Sequence, residues 1–157
     1  MNERPDFQKS ILISVKPEYA DQIMDGCKTV ELRRRFTEEV DKNTRLFIYS
    51  SSPVKAIVGY ARIDRVAKLA VPQIWRTFRN EACIEKADFE NYFQGSDFGF
   101  VVLLNQVKPL AASLELEDIS DRWGIRPPQS YMYLTAEVAS AISMGANEIS
   151  SRHKRRR

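Results

Sequence analysis

Residues 26–33 read Gly-Cys-Lys-Thr-Val-Glu-Leu-Arg, and Arg34 and Arg35 follow directly. One lysine, one glutamate and three arginines therefore gather at the start of a predicted strand, just after a glycine that ends a predicted helix. Packing of a hydrophobic core gives no reason to concentrate so much charge there. A site that binds an anionic or strongly polar ligand would explain these charges, so this octapeptide is the first candidate for a functional site.

The elements on either side of the octapeptide place its side chains. Apolar residues fill Ser10–Val15 as they do in a mostly buried strand. A helix over Pro17–Asp25 follows, with proline at its first position and an acid in its first turn. In the next strand, Thr29–Arg34, alternation turns Val30 and Leu32 to one face and the polar residues to the other.

Farther along, runs of strands with helices inserted between them show no regular βαβ alternation, which predicts an α+β domain around a small barrel. The most apolar strand, Phe98–Val107, is hydrophobic on both faces and should be central, with Pro109 ending it. Gly59 indicates a bulge or a close backbone contact. The other predicted strands are Leu46–Tyr49, Ala56–Val66 and Tyr131–Leu134, and the other predicted helices are Pro72–Asn80, Lys86–Gln94, Glu117–Trp123 and Ala136–Met144.

The composition fits one soluble globular domain, and the charge is unevenly distributed. The chain has 157 residues, of which 43% are hydrophobic and 29% are charged. Its formal net charge of +3 comes from the last residues, because positions 152–157 hold five of the 24 basic residues. The rest of the chain has 19 basic and 21 acidic residues. Any electropositive surface on the body must therefore come from local clustering.

Several kinds of site are excluded by what the sequence lacks. Cys27 and Cys83 form no Cys-x-x-Cys pair, and the single histidine, His153, lies in the basic tail. Metal sites, cofactors and histidine-based triads are therefore not expected. No apolar run approaches the roughly 20 residues that span a bilayer, and the polar N-terminus is not a secretory signal. We expect a cytoplasmic protein with reduced thiols and no membrane partner.

Four segments, in order along the chain, resemble the ASCH family, a branch of the PUA-like β-barrels. The octapeptide matches the family pattern Gly-x-Lys-x-x-Glu-x-Arg at Gly26, Lys28, Glu31 and Arg33. Residues 14–17, Ser-Val-Lys-Pro, are similar to the Ser-x-Lys-Pro segment that opens the family's first helix. Residues 49–54, Tyr-Ser-Ser-Ser-Pro-Val, resemble its strand-ending serine turn. Residues 127–131, Pro-Pro-Gln-Ser-Tyr, resemble its late Pro-Pro-Gln-Ser segment.

The resemblance implies a PUA-like (ASCH) α+β fold, a small mixed β-barrel with helices packed around it and a C-terminal helix. Residues 10–134 would form the domain, with a leader over residues 1–9, the C-terminal helix within residues 135–149 and a disordered basic tail over residues 150–157. The resemblance also implies a polar cleft beside the first helix. Related PUA-like domains bind RNA or modified nucleotides, so RNA or a modified nucleotide or nucleoside is the expected partner, in a binding or regulatory role.

The residues expected to line this cleft come from separated segments. Lysine and arginine contact phosphate or carbonyl oxygens, a glutamate accepts a hydrogen bond from an exocyclic amine, and a tyrosine can stack on a base. The candidate ligand-binding residues are Ser14, Lys16, Lys28, Glu31, Arg33, Ser51, Gln129, Ser130 and Tyr131.

Several of these side chains also have a purely structural interpretation. Glu31 and Arg33 can form an ion pair on a solvated face, which contributes only ~0–1 kcal/mol. Tyr131 can pack as a core or rim aromatic. The serines of residues 50–52 can simply form a turn.

Two other functions remain open. Some ASCH relatives are hydrolases: one group deacylates N4-acetylcytidine with a lysine, a threonine and a glutamate, and another relative is described as a ribonuclease. Lys28 matches that lysine, but Glu31 stands where the threonine nucleophile belongs, so Glu31 would activate water while Lys28 stabilises an oxyanion. Lys28 and Glu31 are thus the candidate catalytic residues. The other alternative is a protein-interaction module whose basic tail binds nucleic acid.

Overall fold

The computed structural model describes residues 10–144. Within this part of the chain, strands and helices follow one another without regular alternation, as in an α+β domain. In chain order the elements are β1 (Ser10–Val15), α1 (Pro17–Asp25), β2 (Val30–Arg33), β3 (Thr44–Ser50), β4 (Ala56–Ala70), α2 (Val71–Ala82), α3 (Lys86–Tyr92), β5 (Phe98–Glu115), α4 (Leu116–Trp123), β6 (Tyr131–Leu134) and α5 (residues 136–144).

Local chemistry sets the bounds of α1, the helix that lies beside the candidate site. Pro17 stands in its first turn, where a missing N–H removes no helical hydrogen bond, and Glu18 places an acid near the positive end of the helix. Gly26 ends the helix in the left-handed conformation, at φ 88°, and its N–H donates to the carbonyl of Ile23. The observed span equals the predicted one.

The six strands form one sheet in the order β2-β5-β4-β3-β1-β6. The β1 and β3 strands run parallel, and every other neighbouring pair is antiparallel. The ladder between the long strands β4 and β5 shifts register three times, and such irregularities bend a sheet. The sheet curls so far that the guanidinium of Arg33, on edge strand β2, reaches the carbonyl of Ser130, just before the opposite edge strand β6.

Three groups of buried side chains pack against this curled sheet. The first combines Ala20 and Ile23 of α1 with alternate residues of β1, β3, β4 and β5. The second joins Ile119 of α4 and Ile142 of α5 to the sheet around Phe47. The third places α2 and α3 against β2 and β5. One face of β2 is therefore covered by helices, and its other face is available to line a site.

Gly59 on β4 permits the close approach of α1 and β5. A Cβ atom at this position would lie 2.7 Å from the carbonyl oxygen of Lys108 and would also collide with the sulfur of Met24. The register of β4 shifts beside Gly59 as well. The bulge and the close contact that the sequence offers as alternatives are thus both present.

The main error in the secondary structure predicted from the sequence concerns β5. The prediction that Pro109 ends this strand is wrong, because β5 continues to Glu115 with Pro109 paired opposite Gly59. The ladder is already irregular here, since the register shifts beside Gly59 and Gln106 has a φ of 47°. A proline that lacks an N–H is tolerated at such a bulged position.

The predicted ends of the chain are only partly covered by the structure. The expected leader, residues 1–9, and the basic tail, residues 150–157, lie outside the described residues. The predicted C-terminal helix is present over residues 136–144, with Ala139 and Ile142 buried against the sheet. Across residues 10–144, no helix has both the length and the apolar character needed to cross a membrane.

Candidate functional site

A first cavity of about 450 Å³ opens between the end of β1, α1, β2 and α3. Its volume falls within the range of small-molecule sites, about 300–1,000 Å³. The octapeptide contributes Lys28, Glu31 and Arg33 to its lining, and the segment that leads into α1 contributes Ser14 and Lys16. The motif that the sequence singled out therefore lines a cavity.

The alternation of β2 directs two charged side chains into the first cavity. Val30 and Leu32 pack against α2 and α3, so Glu31 and Arg33 point to the opposite face, as predicted. Both are buried, Glu31 at 6% exposure and Arg33 at 9%. Among residues 10–144 neither forms a salt bridge. The exposed ion pair that the sequence also allowed is not present.

Lys28 is the most deeply buried of these charged residues, at 3% exposure. Its ammonium donates to the carbonyl oxygen of Ala82 at 2.5 Å and lies 5.0 Å from the centre of the Tyr19 ring. Burial lowers the pKa of Lys28, and the nearby Glu31 carboxylate opposes this shift. In such a poorly solvated place, an ammonium interacts more strongly with an anionic oxygen than it would in water.

Two residues that line the first cavity have a buried polar atom with no hydrogen-bond partner among residues 10–144. These atoms are Oε2 of Glu31 and Oγ of Ser14. Leaving such an atom unsatisfied costs about 1–3 kcal/mol, and native structures contain few of them. A carboxylate oxygen accepts hydrogen bonds, and a hydroxyl both donates and accepts. The two atoms are therefore suited to a ligand that carries amine or hydroxyl groups.

A second cavity of about 480 Å³ adjoins the first, and Arg33 and Tyr92 line both. Arg33 is fixed at the boundary by main-chain carbonyls. Its Nη1 donates to Ser14 at 3.2 Å, and its Nη2 donates to Gln129 at 3.4 Å and Ser130 at 2.5 Å. One guanidinium thus connects β2, the end of β1 and the segment before β6.

The two cavities divide the predicted ligand-binding residues. Ser51 and Tyr131 line neither of them. The N–H of Ser51 donates to the carbonyl of Val15 at 2.8 Å, and the ring of Tyr131 packs on Phe36 with centroids 5.1 Å apart. The first cavity is lined by Ser14, Lys16, Lys28, Glu31 and Arg33, and the second by Arg33 with Gln129 and Ser130.

The contribution of α3 was not visible in the sequence motifs. Asp88, Asn91 and Tyr92 line the first cavity, although the sequence marks this segment only as a helix. Their i, i+3 and i+4 spacing places them on one helix face. That spacing is the one signal the sequence offers, and it does not reveal which element this face meets.

The chemistry available to these cavities is ionic and hydrogen-bonding recognition, and two ionisable side chains, Lys28 and Glu31, line the first one. In the part of the chain that the structure describes, no group of three or more His, Cys, Asp or Glu side chains could hold a metal ion.

Comparison with known proteins identifies relatives over nearly the whole chain. A family model described as "Domain of unknown function (DUF365)" matches residues 8–135. The chain is 32% identical over 143 residues to the ASCH domain-containing ribonuclease of Zymomonas mobilis subsp. mobilis. That alignment covers 90% of this chain and 95% of the Zymomonas protein.

Solved structures show the same likeness. The crystal structure of ASCH from Zymomonas mobilis matches with a TM-score of 0.82 and 30% sequence identity, covering 87% of this chain and 95% of that one. The N-terminal domain of Staphylothermus marinus McrB matches with a TM-score of 0.61 and 16% identity, covering 92% of this chain and 98% of that one. At 16% identity the second likeness concerns the fold alone.

Proposed function

This chain belongs to the ASCH domain family and has its PUA-like α+β fold, and on that premise we propose that it binds RNA, with one nucleotide unit held in the first cavity. The relative from Zymomonas mobilis is named as an ASCH domain-containing ribonuclease, a protein that acts on RNA. That name supports the class of ligand, and the lining of the first cavity supports the place where it binds.

The observation that carries this proposal is a set of buried polar groups, two of which lack a hydrogen-bond partner among residues 10–144. They are Oε2 of Glu31 and Oγ of Ser14, and the Lys28 ammonium lines the same cavity with a carbonyl partner but no salt bridge in that part of the chain. A nucleotide offers complementary groups, because its amines and ribose hydroxyls donate to a carboxylate and its carbonyl oxygens accept from an ammonium. Binding would satisfy atoms that the folded chain leaves unsatisfied.

The test is to measure the affinities of the four nucleosides, N4-acetylcytidine and short single-stranded RNAs for the native protein and for two variants. Glu31→Gln replaces the free acceptor with an amide, and Lys28→Met removes the ammonium while keeping similar length. Hydrogen bonds to charged groups contribute about 1.5–3 kcal/mol. Each variant should therefore weaken binding at least about tenfold.

The matched controls are Glu90→Gln and Lys86→Met, which make the same changes at exposed positions of α3 outside both cavities. Unchanged affinity in both cavity variants, relative to these controls, would contradict the proposal.

A second candidate function is cleavage of the bound RNA. Two observations favour it: the named activity of the Zymomonas relative, and the presence of a carboxylate and a buried ammonium in one cavity. Glu31 is then the general base and Lys28 the group that offsets negative charge in the transition state.

The cleavage step can be written with the side chains of this chain, the RNA and water. Glu31 accepts the proton of the ribose 2′-hydroxyl, O2′ bonds to the adjacent phosphorus, and the bond from phosphorus to O5′ breaks. The released O5′ takes a proton from water. The products are a 2′,3′-cyclic phosphate and a 5′-hydroxyl end.

This chemistry is tested by incubating purified protein with single-stranded RNA in the presence of EDTA. A cyclic phosphate product is expected, and 2′-O-methyl substitution at the cleaved nucleotide should abolish it because the nucleophile is removed. Cleavage that requires a divalent metal, or that survives Glu31→Gln, would rule out this mechanism and leave the binding proposal standing.

A further inference from the structure

The two adjoining cavities differ in their formal net charge. Three cations and three carboxylates line the first cavity, so its formal charges balance. They are Lys16, Lys28 and Arg33, and Glu18, Glu31 and Asp88. The second cavity is lined by three consecutive arginines, residues 33–35, and no carboxylate of residues 10–144 lines it. An anion is therefore favoured in the second cavity, and a neutral polar group is accommodated in the first.

Tyr92 holds Arg34 in place at the second cavity, and the guanidinium groups of Arg34 and Arg35 are available to a ligand. The main-chain N–H of Arg34 donates to the Tyr92 hydroxyl at 3.0 Å, and the Arg34 guanidinium lies 5.1 Å from the centre of the same ring. Arg34 and Arg35 are exposed, and neither forms a salt bridge within residues 10–144. A guanidinium packed on an aromatic face keeps the N–H groups at its edge, where they can contact a phosphate in bidentate geometry.

The cavities adjoin each other, because Arg33 and Tyr92 line both. A ligand with a neutral part and an adjoining anionic part can therefore occupy them together. A nucleoside linked to its neighbour by a phosphodiester has this distribution of charge. A base in a cavity of about 450 Å³ must also leave any helical stack, which single-stranded RNA permits and duplex RNA does not.

We propose that the second cavity is a phosphate subsite, in which Arg34 and Arg35 bind the backbone next to the nucleotide held in the first cavity. The ligand is then a single-stranded oligonucleotide of at least two nucleotides rather than a free nucleoside. This inference rests on the proposed function, since it takes the first cavity as the nucleoside site.

The test compares the full-length native chain with the double variant Arg34→Gln/Arg35→Gln. The probes are uridine, cytidine, adenosine and guanosine, together with single-stranded 2′-fluoro RNA dinucleotides and hexanucleotides, which lack the 2′-hydroxyl and resist cleavage. Native protein should bind the hexanucleotides more tightly than the nucleosides. The double variant should lose about tenfold or more in hexanucleotide affinity and keep its nucleoside affinity.

Salt dependence gives an independent readout. Each lost phosphate contact should lower the slope of log affinity against log salt concentration by about 0.7, so the double variant should lose about 1.4. The control is Arg76→Gln/Arg79→Gln, which removes two exposed arginines from α2 outside both cavities.

The outcomes separate this inference from the function on which it rests. Equal hexanucleotide affinities and salt slopes in the two double variants, with binding still dependent on Lys28 and Glu31, would overturn the phosphate subsite alone. Absence of nucleoside and oligonucleotide binding by the native protein would overturn both proposals.

Discussion

Lys28 is held by a main-chain carbonyl and an aromatic ring rather than by a carboxylate. Its ammonium donates to Ala82 and lies over Tyr19, and among the described residues it has no salt bridge. Burial disfavours the charged form of Lys28 more than the nearby Glu31 carboxylate favours it, and this explains the lowered pKa of Lys28. An anionic or carbonyl oxygen of a ligand would provide the partner that the folded chain omits.

The lowered pKa of Lys28 predicts a pH dependence of folding stability. In the window from the lowered pKa up to the ordinary value of 10.5, the folded chain has released this proton while the unfolded chain still binds it. The free energy of unfolding therefore rises with pH across this window. Lys28→Met should remove the rise, as measured by urea unfolding at intervals between pH 7 and pH 9.5.

Two tyrosines set the upper limit of the pH range in which that rise can be measured. Burial raises the pKa of Tyr19 and Tyr49 above the ordinary 10.0, so their contributions lower stability above that pH. Lys86→Met is the matched control because it removes an exposed lysine. A pH profile for Lys28→Met that keeps the rise of the native protein would contradict the prediction.

The two edge strands of the sheet are joined by a side chain. Arg33 on β2 donates to the carbonyl of Ser14, at the end of β1, and to those of Gln129 and Ser130, just before β6. No ladder between β2 and β6 is present in the sheet of residues 10–144. The guanidinium, with its donors in a planar fork, therefore takes the place of backbone pairing where the curled sheet would close.

We predict that Arg33→Met lowers the free energy of unfolding by about 2–4 kcal/mol, because three carbonyls lose a charged donor. Arg33→Lys should also be destabilised, since one ammonium cannot reproduce the fork. Urea unfolding measures the total effect. Amide hydrogen exchange should accelerate more in Tyr131–Leu134 than in Thr44–Ser50, because β6 loses its connection to β2.

The comparison for this prediction is Arg76→Met, which removes an exposed arginine from α2. Equal stability of the two variants, with unchanged exchange in β6, would show that Arg33 does not join the edges.

What the sequence predicted well depended on local chemistry. Pro17 and Gly26 mark the two ends of α1, and the alternation of β2 packs Val30 and Leu32 against α2 and α3 while Glu31 and Arg33 face the cavity. The failures concern partners that are distant in the chain. Nothing near Pro109 reveals that its partner is Gly59, and nothing in α3 reveals that its polar face meets β2. The division into two cavities has the same origin, because it depends on where the segment before β6 meets β2.

Considered as one body, the chain has two local clusters of positive charge. The formal net charge is +3, and positions 152–157 hold five of the basic residues, so the rest carries 19 basic and 21 acidic residues. An RNA strand would therefore be attracted by the tail and by the local group of arginines at residues 33–35, but not by the average charge of the domain. Long-range attraction is screened beyond about 10 Å at 0.1 M salt.

Deleting residues 150–157 should therefore separate the long-range attraction of RNA from the binding of a nucleoside in the first cavity. The truncated protein should bind nucleosides in the first cavity with unchanged affinity, because the described residues that line this cavity all lie between positions 14 and 92. Its association with RNA hexanucleotides should be slower at low salt, and the difference from the native protein should shrink as salt rises. Stopped-flow association rates at several salt concentrations measure this effect.

A full-length variant with the five basic tail residues replaced by glutamine should behave like the truncated protein if charge, rather than length, is the cause. If nucleoside binding disappears in either variant, the tail rather than the cavity is the binding element, and the domain is a scaffold for it.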